Sequence, residues 1–206
     1  MPDVAKLSAG YFAHPGMDLI DLFIGSEGTL GYVTDATLRV IPLPRRCVVL
    51  VTCDSDSQAI AVTAALRRKA ASSWHGEGAL DVSAVEFIDD RALAVVPDET
   101  FSRAGVKRPA GAAVLLLVQI EVADSEDETL KLMDGVLDAC GVHNDPLVAS
   151  PGDERGAARL FELREAVPAG VNALIAAAKG RVHPNIEKVA GDLIVPFERQ
   201  EESLAL

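Results

Sequence analysis

The feature that most limits the fold is an alternation of strand-length apolar runs and capped helical stretches after residue 46. Cys47 to Thr52 is a short apolar strand. Asp54 to Asp56 can cap a helix running to Ala71, with Ala59, Val62 and Leu66 turned inward at helical spacing. Val82 to Ile88 is a second strand and leads into a short helix around Arg91 to Val95. Phe101 to Gly111 reads as a basic loop bearing glycine and proline. Val114 to Val122 is a third strand. Ser125 and Glu128 form a capping box for a helix that buries Leu130, Met133, Leu137 and Cys140, and Gly141 ends it. Leu147 and Val148 make a short fourth strand. A helical stretch runs from Asp153 to Lys179, and Pro168 should break it, kink it or start a second helix. Leu193 to Val195 is a last strand candidate, stopped by Pro196.

The order β-α-β-(α)-β-α-β resembles a ferredoxin-like sandwich with added helices, an α+β class. Ahead of it, residues 1–17 show no clear period and read as an extended segment or loop. Asp18 to Ile24 has helical spacing at Leu19, Leu22 and Phe23, with Asp18 near the N-cap and Gly25 just past the end. Tyr32 to Ile41 alternates, with Tyr32, Ala36, Leu38 and Val40 on one face and Asp35, Thr37 and Arg39 on the other, the pattern of a half-buried strand. Asp35 and Arg39 read as a solvated surface pair. Pro42, Pro44, Arg45 and Arg46 mark a boundary, giving domains over 1–45 and 46–206.

The net charge of −12 repels nucleic acid phosphates and argues against a non-specific nucleic-acid role. The longest apolar run, Ala112 to Ile120, is strand length and contains Gln119, so no stretch suits a bilayer span. No basic region followed by an apolar one opens the chain, so no secretion signal is read. Cys47, Cys53 and Cys140 are odd in number and set among apolar residues, as buried thiols of a reducing cytoplasm would be. His14, His75, His143 and His183 show no metal-pair spacing.

Between the first helix and the alternating segment lies Gly25-Ser26-Glu27-Gly28-Thr29-Leu30-Gly31, with three glycines in seven residues. Glycine allows positive φ and lets backbone approach a ligand. The amides of such a loop can converge on a phosphate or a flavin carbonyl, and Ser26 and Thr29 add hydroxyl donors. A tight turn that only joins helix to strand fits the same residues. The loop is not a P-loop, having no Gly-Lys-Ser/Thr, and not a Rossmann fingerprint, since it precedes a strand and opens no helix.

The whole run Asp18 to Arg39, DLIDLFIGSEGTLGYVTDATLR, resembles the FAD-linked oxidases of the vanillyl-alcohol oxidase (PCMH) type. It is most similar to their D-lactate, glycolate and D-2-hydroxyglutarate dehydrogenase branch. Lys6 and Ala9-Gly10-Tyr11 resemble the lysine and Gly-Tyr that precede this run in the branch. The match is dense over 6–44 and looser over 46–206, where it implies the start of the cap domain. The implied fold is the C-terminal part of a PCMH-type FAD-binding domain followed by an incomplete ferredoxin-like cap. The resemblance implies that Gly25, Ser26, Glu27, Gly28, Thr29, Leu30 and Gly31 contact FAD. A carboxylate beside a pyrophosphate would be repelled, so Glu27 is expected to turn away and hydrogen-bond backbone or a neighbouring side chain.

On the substrate side, Leu163-Arg164-Glu165 resembles the cap-domain Leu-Arg-Glu whose arginine binds the substrate carboxylate, and a guanidinium suits that task by two parallel hydrogen bonds. The other reading of Arg164 is a solvent-facing helical arginine paired with Glu162 or Glu165. The hydroxyl residue common one turn later in the branch is Pro168 here. Lys188, before Val-Ala-Gly-Asp192, resembles a lysine near the family's Lys-Tyr-Asp, with two extra residues between, and otherwise reads as a surface lysine. The family's His-x-His-x-Gly-Asp-Gly-Asn segment and its upstream glycine-rich pyrophosphate loop are absent from the sequence. The chain is therefore expected to be an internal part of a longer enzyme that oxidises a small-molecule 2-hydroxy acid, and to hold FAD weakly or not at all alone. A non-catalytic ferredoxin-like interaction domain of the same ancestry is the alternative.

Overall fold

The computed structural model describes residues 10–109, 114–123, 125–189, 191 and 193–204. Lys6, Ala9, Gly111, Ala112, Ala190 and Asp192, invoked above, lie outside the described residues. The chain divides into two compact units, Met1–Pro42 with Asp192–Arg199, and Leu43–Gly191 with Gln200–Leu206.

The larger unit is α+β, built on a four-stranded sheet of order β2-β3-β1-β4. The strands are β1 (Arg46–Cys53), β2 (Asp81–Ile88), β3 (Val114–Glu121) and β4 (Leu147–Ala149). All three pairings are antiparallel, and β1 runs in unbroken register with β3 from Arg46↔Glu121 to Cys53↔Val114. The two central strands, β1 and β3, are buried almost throughout. That follows from their near-continuous apolar runs, which leave no side for water.

Alternate residues of these strands feed two cores. Cys47, Val49, Val51 and Cys53, with Leu116, Val118 and Ile120, meet α2 (Asp56–Trp74) and α5 (Glu126–Ala139) through Val62, Leu66, Met133 and Leu137. On the opposite face Val48, Leu50, Leu115 and Leu117 meet α3 (Asp90–Ala94), α4 (Asp98–Ala104) and α6 (Glu154–Arg181) through Leu93, Phe101, Leu160 and Leu163. The helix starts are capped as the sequence demands. Ser55 Oγ accepts from Gln58 N–H and Ser125 Oγ from Glu128 N–H, while Gly141 takes the left-handed conformation after α5; only this half of the expected Ser125–Glu128 box forms, since the Glu128 carboxylate takes no return bond among the described residues. Leu130 and Cys140 are only half-buried.

Two expectations for this unit are corrected. Phe101 is not in a loop. It anchors α4, which has Asp98 and Glu99 in its first turn and ends on left-handed Gly105. Arg108 then closes the segment: it bridges to Asp98 (2.6 Å), donates to the carbonyls of Leu93 (2.7 Å) and Val96, and stacks 4.3 Å over the Phe101 ring. Pro168 does not end the helix either, because α6 passes through it without a break. Proline removes the hydrogen bond to the carbonyl four residues earlier. That residue is Arg164, which like Pro168 lies on the exposed side, where water can satisfy the carbonyl. The unit also holds α7 (Gln200–Leu204), on which no expectation was placed; there Ser57 donates to Glu201 (3.3 Å) and Arg91 to the Leu204 carbonyl (3.4 Å).

The smaller unit holds α1 (Leu19–Phe23), capped by Asp18, whose N–H donates to the Asp21 carboxylate at 2.8 Å. The apolar residues of α1 are not buried. Residues 32–41 form no strand, and neither do Leu193 to Val195. Alternation makes a strand only where a neighbour completes the ladder. Residues 32–41 make no backbone hydrogen bond among the described residues, and Tyr32 (95% exposed), Leu38 and Val40 stand in solvent. Asp35 and Arg39 are exposed, with no ion pair between them among the described residues.

Candidate functional site

The seven-residue loop begins where α1 ends. Gly25 leaves the helix at φ +77°, and Ser26 N–H donates back to the Phe23 carbonyl (3.2 Å). The chain then reverses over Ser26–Thr29, closed by Thr29 N–H to the Ser26 carbonyl (3.0 Å). Both central residues have positive φ, +50° at Glu27 and +77° at Gly28, as in a type I′ turn. Glu27 is the one non-glycine residue at positive φ among those described. A side chain there costs about 1–2 kcal/mol against the right-handed region. Gly31, at φ +153°, closes the loop.

Ser26 is buried at 7% exposure, and its hydroxyl makes no hydrogen bond among the described residues. Thr29 differs. Its Oγ1 donates to the Ser26 carbonyl (2.6 Å) and lies 2.8 Å from the Tyr11 hydroxyl. The two segments singled out in sequence, Gly10-Tyr11 and the glycine loop, therefore meet. The N–H groups of Glu27, Gly28, Leu30 and Gly31 find no partner among the described residues. Beside the loop is a recess of about 440 Å³ lined by Gly10, Tyr11, Phe12, Asp21, Ile24, Gly25 and Glu27. The expected hydrogen bond to the Glu27 carboxylate is not formed among the described residues. Glu27 is exposed and lines this recess, and its carboxylate has no partner among the described residues.

Arg164 sits on α6, in the larger unit, with its guanidinium partly exposed. It bonds Glu165 at 2.8 Å and reaches Glu86 of β2 at 3.5 Å. Glu165 first, then Glu86, hold its pKa above even the usual arginine value. Glu162, the other expected partner, is taken by Arg103 (3.1 Å). Glu86 was missed in sequence, since nothing in a strand's outward residue announces a partner 78 positions away. Lys188 is exposed and makes no ion pair among the described residues, and no hydrogen bond joins it to Arg164. No cluster of His, Cys, Asp or Glu among the described residues could hold a metal ion. His14 and His183 instead serve local turns, through the Pro15 carbonyl (2.8 Å) and Asn185 N–H (3.2 Å). No helix among the described residues is long and apolar enough to cross a membrane.

No family model matches the chain. It is 39% identical over 95 residues to a D-2-hydroxyglutarate dehydrogenase of Stutzerimonas stutzeri (strain A1501), covering 46% of this chain and 17% of that protein. It is 48% identical over 48 residues to a D-lactate dehydrogenase of Anaerostipes hadrus, covering 23% of this chain and 9% of that protein. It is 30% identical over 118 residues to the glycolate oxidase subunit GlcD of Bacillus subtilis (strain 168), covering 56% of this chain and 21% of that protein. The matches thus span between 9% and 21% of these curated relatives' length. Over those stretches the chain is similar to a D-2-hydroxyglutarate dehydrogenase, a D-lactate dehydrogenase and a glycolate oxidase subunit.

Proposed function

We propose that this chain is part of a cytoplasmic FAD-dependent oxidoreductase that converts a small 2-hydroxy acid to the 2-oxo acid. The observation that carries the reading is similarity to three proteins whose names share that chemistry, at 30–48% identity over their matched stretches. Residues 1–45 then belong to the C-terminal part of a PCMH-type FAD-binding domain. Residues 46–206 begin a ferredoxin-like cap, a reading supported by the β2-β3-β1-β4 antiparallel sheet.

The loop suits a flavin better at its neutral ring than at its phosphates. Tyr11, Phe12 and Ile24 give the recess apolar walls, whereas Asp21 and Glu27 would repel a pyrophosphate. The amides of Glu27, Gly28, Leu30 and Gly31, unpaired among the described residues, can donate to ring carbonyls. When bound, the flavin supplies the hydride acceptor at N5. The chain's own part is to bind and orient.

Arg164 is the proposed anchor for the substrate carboxylate. Its Nε contact with Glu86, at 3.5 Å, is the weaker of its two and the one a substrate would displace. Lys188 is the proposed second cation on the substrate side. The test is steady-state kinetics of the protein encoded by the whole reading frame, with D-lactate, glycolate and D-2-hydroxyglutarate. Arg164→Ala should raise KM at least about tenfold, the weight of a lost charged hydrogen bond, with Arg164→Lys between it and wild type. An unchanged KM in Arg164→Ala would remove Arg164 from the site.

A further inference from the structure

Thr29 has one hydroxyl proton, and the structure shows where it goes. A carbonyl can only accept, so in the 2.6 Å contact Thr29 Oγ1 is the donor to the Ser26 carbonyl. In the 2.8 Å contact with Tyr11, Thr29 Oγ1 must then accept, and the tyrosine hydroxyl must donate. The order is Tyr11 Oη–H to Thr29 Oγ1, and Thr29 Oγ1–H to the Ser26 carbonyl. That same carbonyl also receives the Thr29 N–H at 3.0 Å.

From this relay we infer that Tyr11 is a positioning residue for the glycine loop, and that Thr29 is its lock rather than a donor to the ligand. The relay spans 18 residues and ties the Gly-Tyr segment to the turn in which Glu27 is held at positive φ. The strain at Glu27 needs such an external tie, because nothing in the side chain of a glutamate favours that conformation. The division of labour follows. Thr29 spends its proton inside the loop. The Ser26 hydroxyl and the amides of Glu27, Gly28, Leu30 and Gly31 remain uncommitted among the described residues, and these are the donors left for a ligand. This replaces the expectation that both hydroxyls donate. The inference rests on the flavin reading for the nature of the ligand, but the relay itself is a property of the chain without it.

The test is amide hydrogen exchange and three-bond HN–Hα coupling by NMR on the chain as it stands, with no flavin added. Tyr11→Phe and Thr29→Val should each speed exchange of the Thr29 amide about fivefold, the weight of one hydrogen bond, and shift the Glu27 coupling away from its positive-φ value. Thr29→Ser keeps the hydroxyl and should retain both signals. Ser26→Ala should leave the turn intact. If Tyr11→Phe changes neither readout, or Thr29→Ser behaves like Thr29→Val, the relay is wrong. Failure of the flavin reading would appear elsewhere, as absence of flavin from the protein of the whole reading frame.

Discussion

Glycine-to-alanine changes in two helices should move stability in opposite directions. In a helix interior alanine is favoured over glycine by about 1 kcal/mol. At Gly135, inside α5, no atom of the described residues beyond its chain neighbours and its own helix backbone lies within 4 Å of where a Cβ would stand, so Gly135→Ala should gain about 0.5–1 kcal/mol. Gly170, inside α6, carries the same intrinsic gain, but its Cβ would fall well inside van der Waals contact with the Val95 carbonyl oxygen. It would also stand 3.0 Å from Val95 C and Cβ. A backbone carbonyl cannot rotate aside. The neighbouring turn is also pinned, by Val95 N–H to Ala92, Val96 N–H to Leu93, and Arg108 on the carbonyls of Leu93 and Val96. Relief requires α6 to lift from the core that holds Leu160 and Leu163. Overpacking of this kind costs about 1–3 kcal/mol, and a clash with a fixed backbone carbonyl belongs to the upper part of that range, about 2–3 kcal/mol, which exceeds the propensity gain. The net expectation for Gly170→Ala is a loss of about 1–2 kcal/mol, or about 2–8 °C in Tm at this chain length. Urea unfolding of the two variants beside wild type measures it. If Gly170→Ala is as stable as wild type, or both variants gain alike, the close approach of α6 to Val95 is not as described.

Arg108→Lys should destabilise by about 2 kcal/mol, because one ammonium cannot serve two carbonyls and Asp98 while stacking on Phe101; the same urea measurement reads it. Glu27→Gly should stabilise the chain by about 1 kcal/mol by removing the positive-φ cost, and an equal or lower urea midpoint would refute the strain. Burial, and then Glu126, push the Cys47 thiol up to about 11, while burial, and then Asp54, push Cys53 up to about 12. These thiols ionise more readily unfolded than folded, so their contribution is whole below the ordinary thiol value of 9.0 and is lost as pH rises through about 11 and 12. Urea midpoints should therefore fall above pH 9.0, and less steeply in a Cys47→Ala, Cys53→Ala double variant.

What could be read in the sequence was what neighbouring residues decide. The runs of β1 and β3 are apolar enough to require cover on both faces, and Ser55, Ser125 and Gly141 mark helix ends by their own chemistry. Readings that depend on distant partners came out differently. Residues 32–41 carry a strand's alternation but no ladder, since pairing is supplied by another segment. The helix around Phe101 was hidden because Gly105 and Arg108 look like loop residues until the guanidinium is seen capping carbonyls. Pro168 was expected to interrupt α6, yet the lost hydrogen bond falls where water can replace it. In the candidate site, the glycines announced the turn. The tie from Tyr11 to Thr29 was not legible, because the sequence offers no spacing rule for a contact across 18 residues.

We propose that Gly25 to Gly31 belongs to the flavin site of a 2-hydroxy-acid dehydrogenase. The most direct measurement is the visible absorption spectrum of the protein encoded by the whole reading frame, recorded anaerobically before and after addition of each hydroxy acid. The account predicts oxidised-flavin bands that bleach with D-lactate, glycolate or D-2-hydroxyglutarate, and weaker flavin retention in Gly28→Ala, whose φ of +77° an alanine resists. A purified protein with no flavin bands, or bands that none of these acids bleaches, would contradict it.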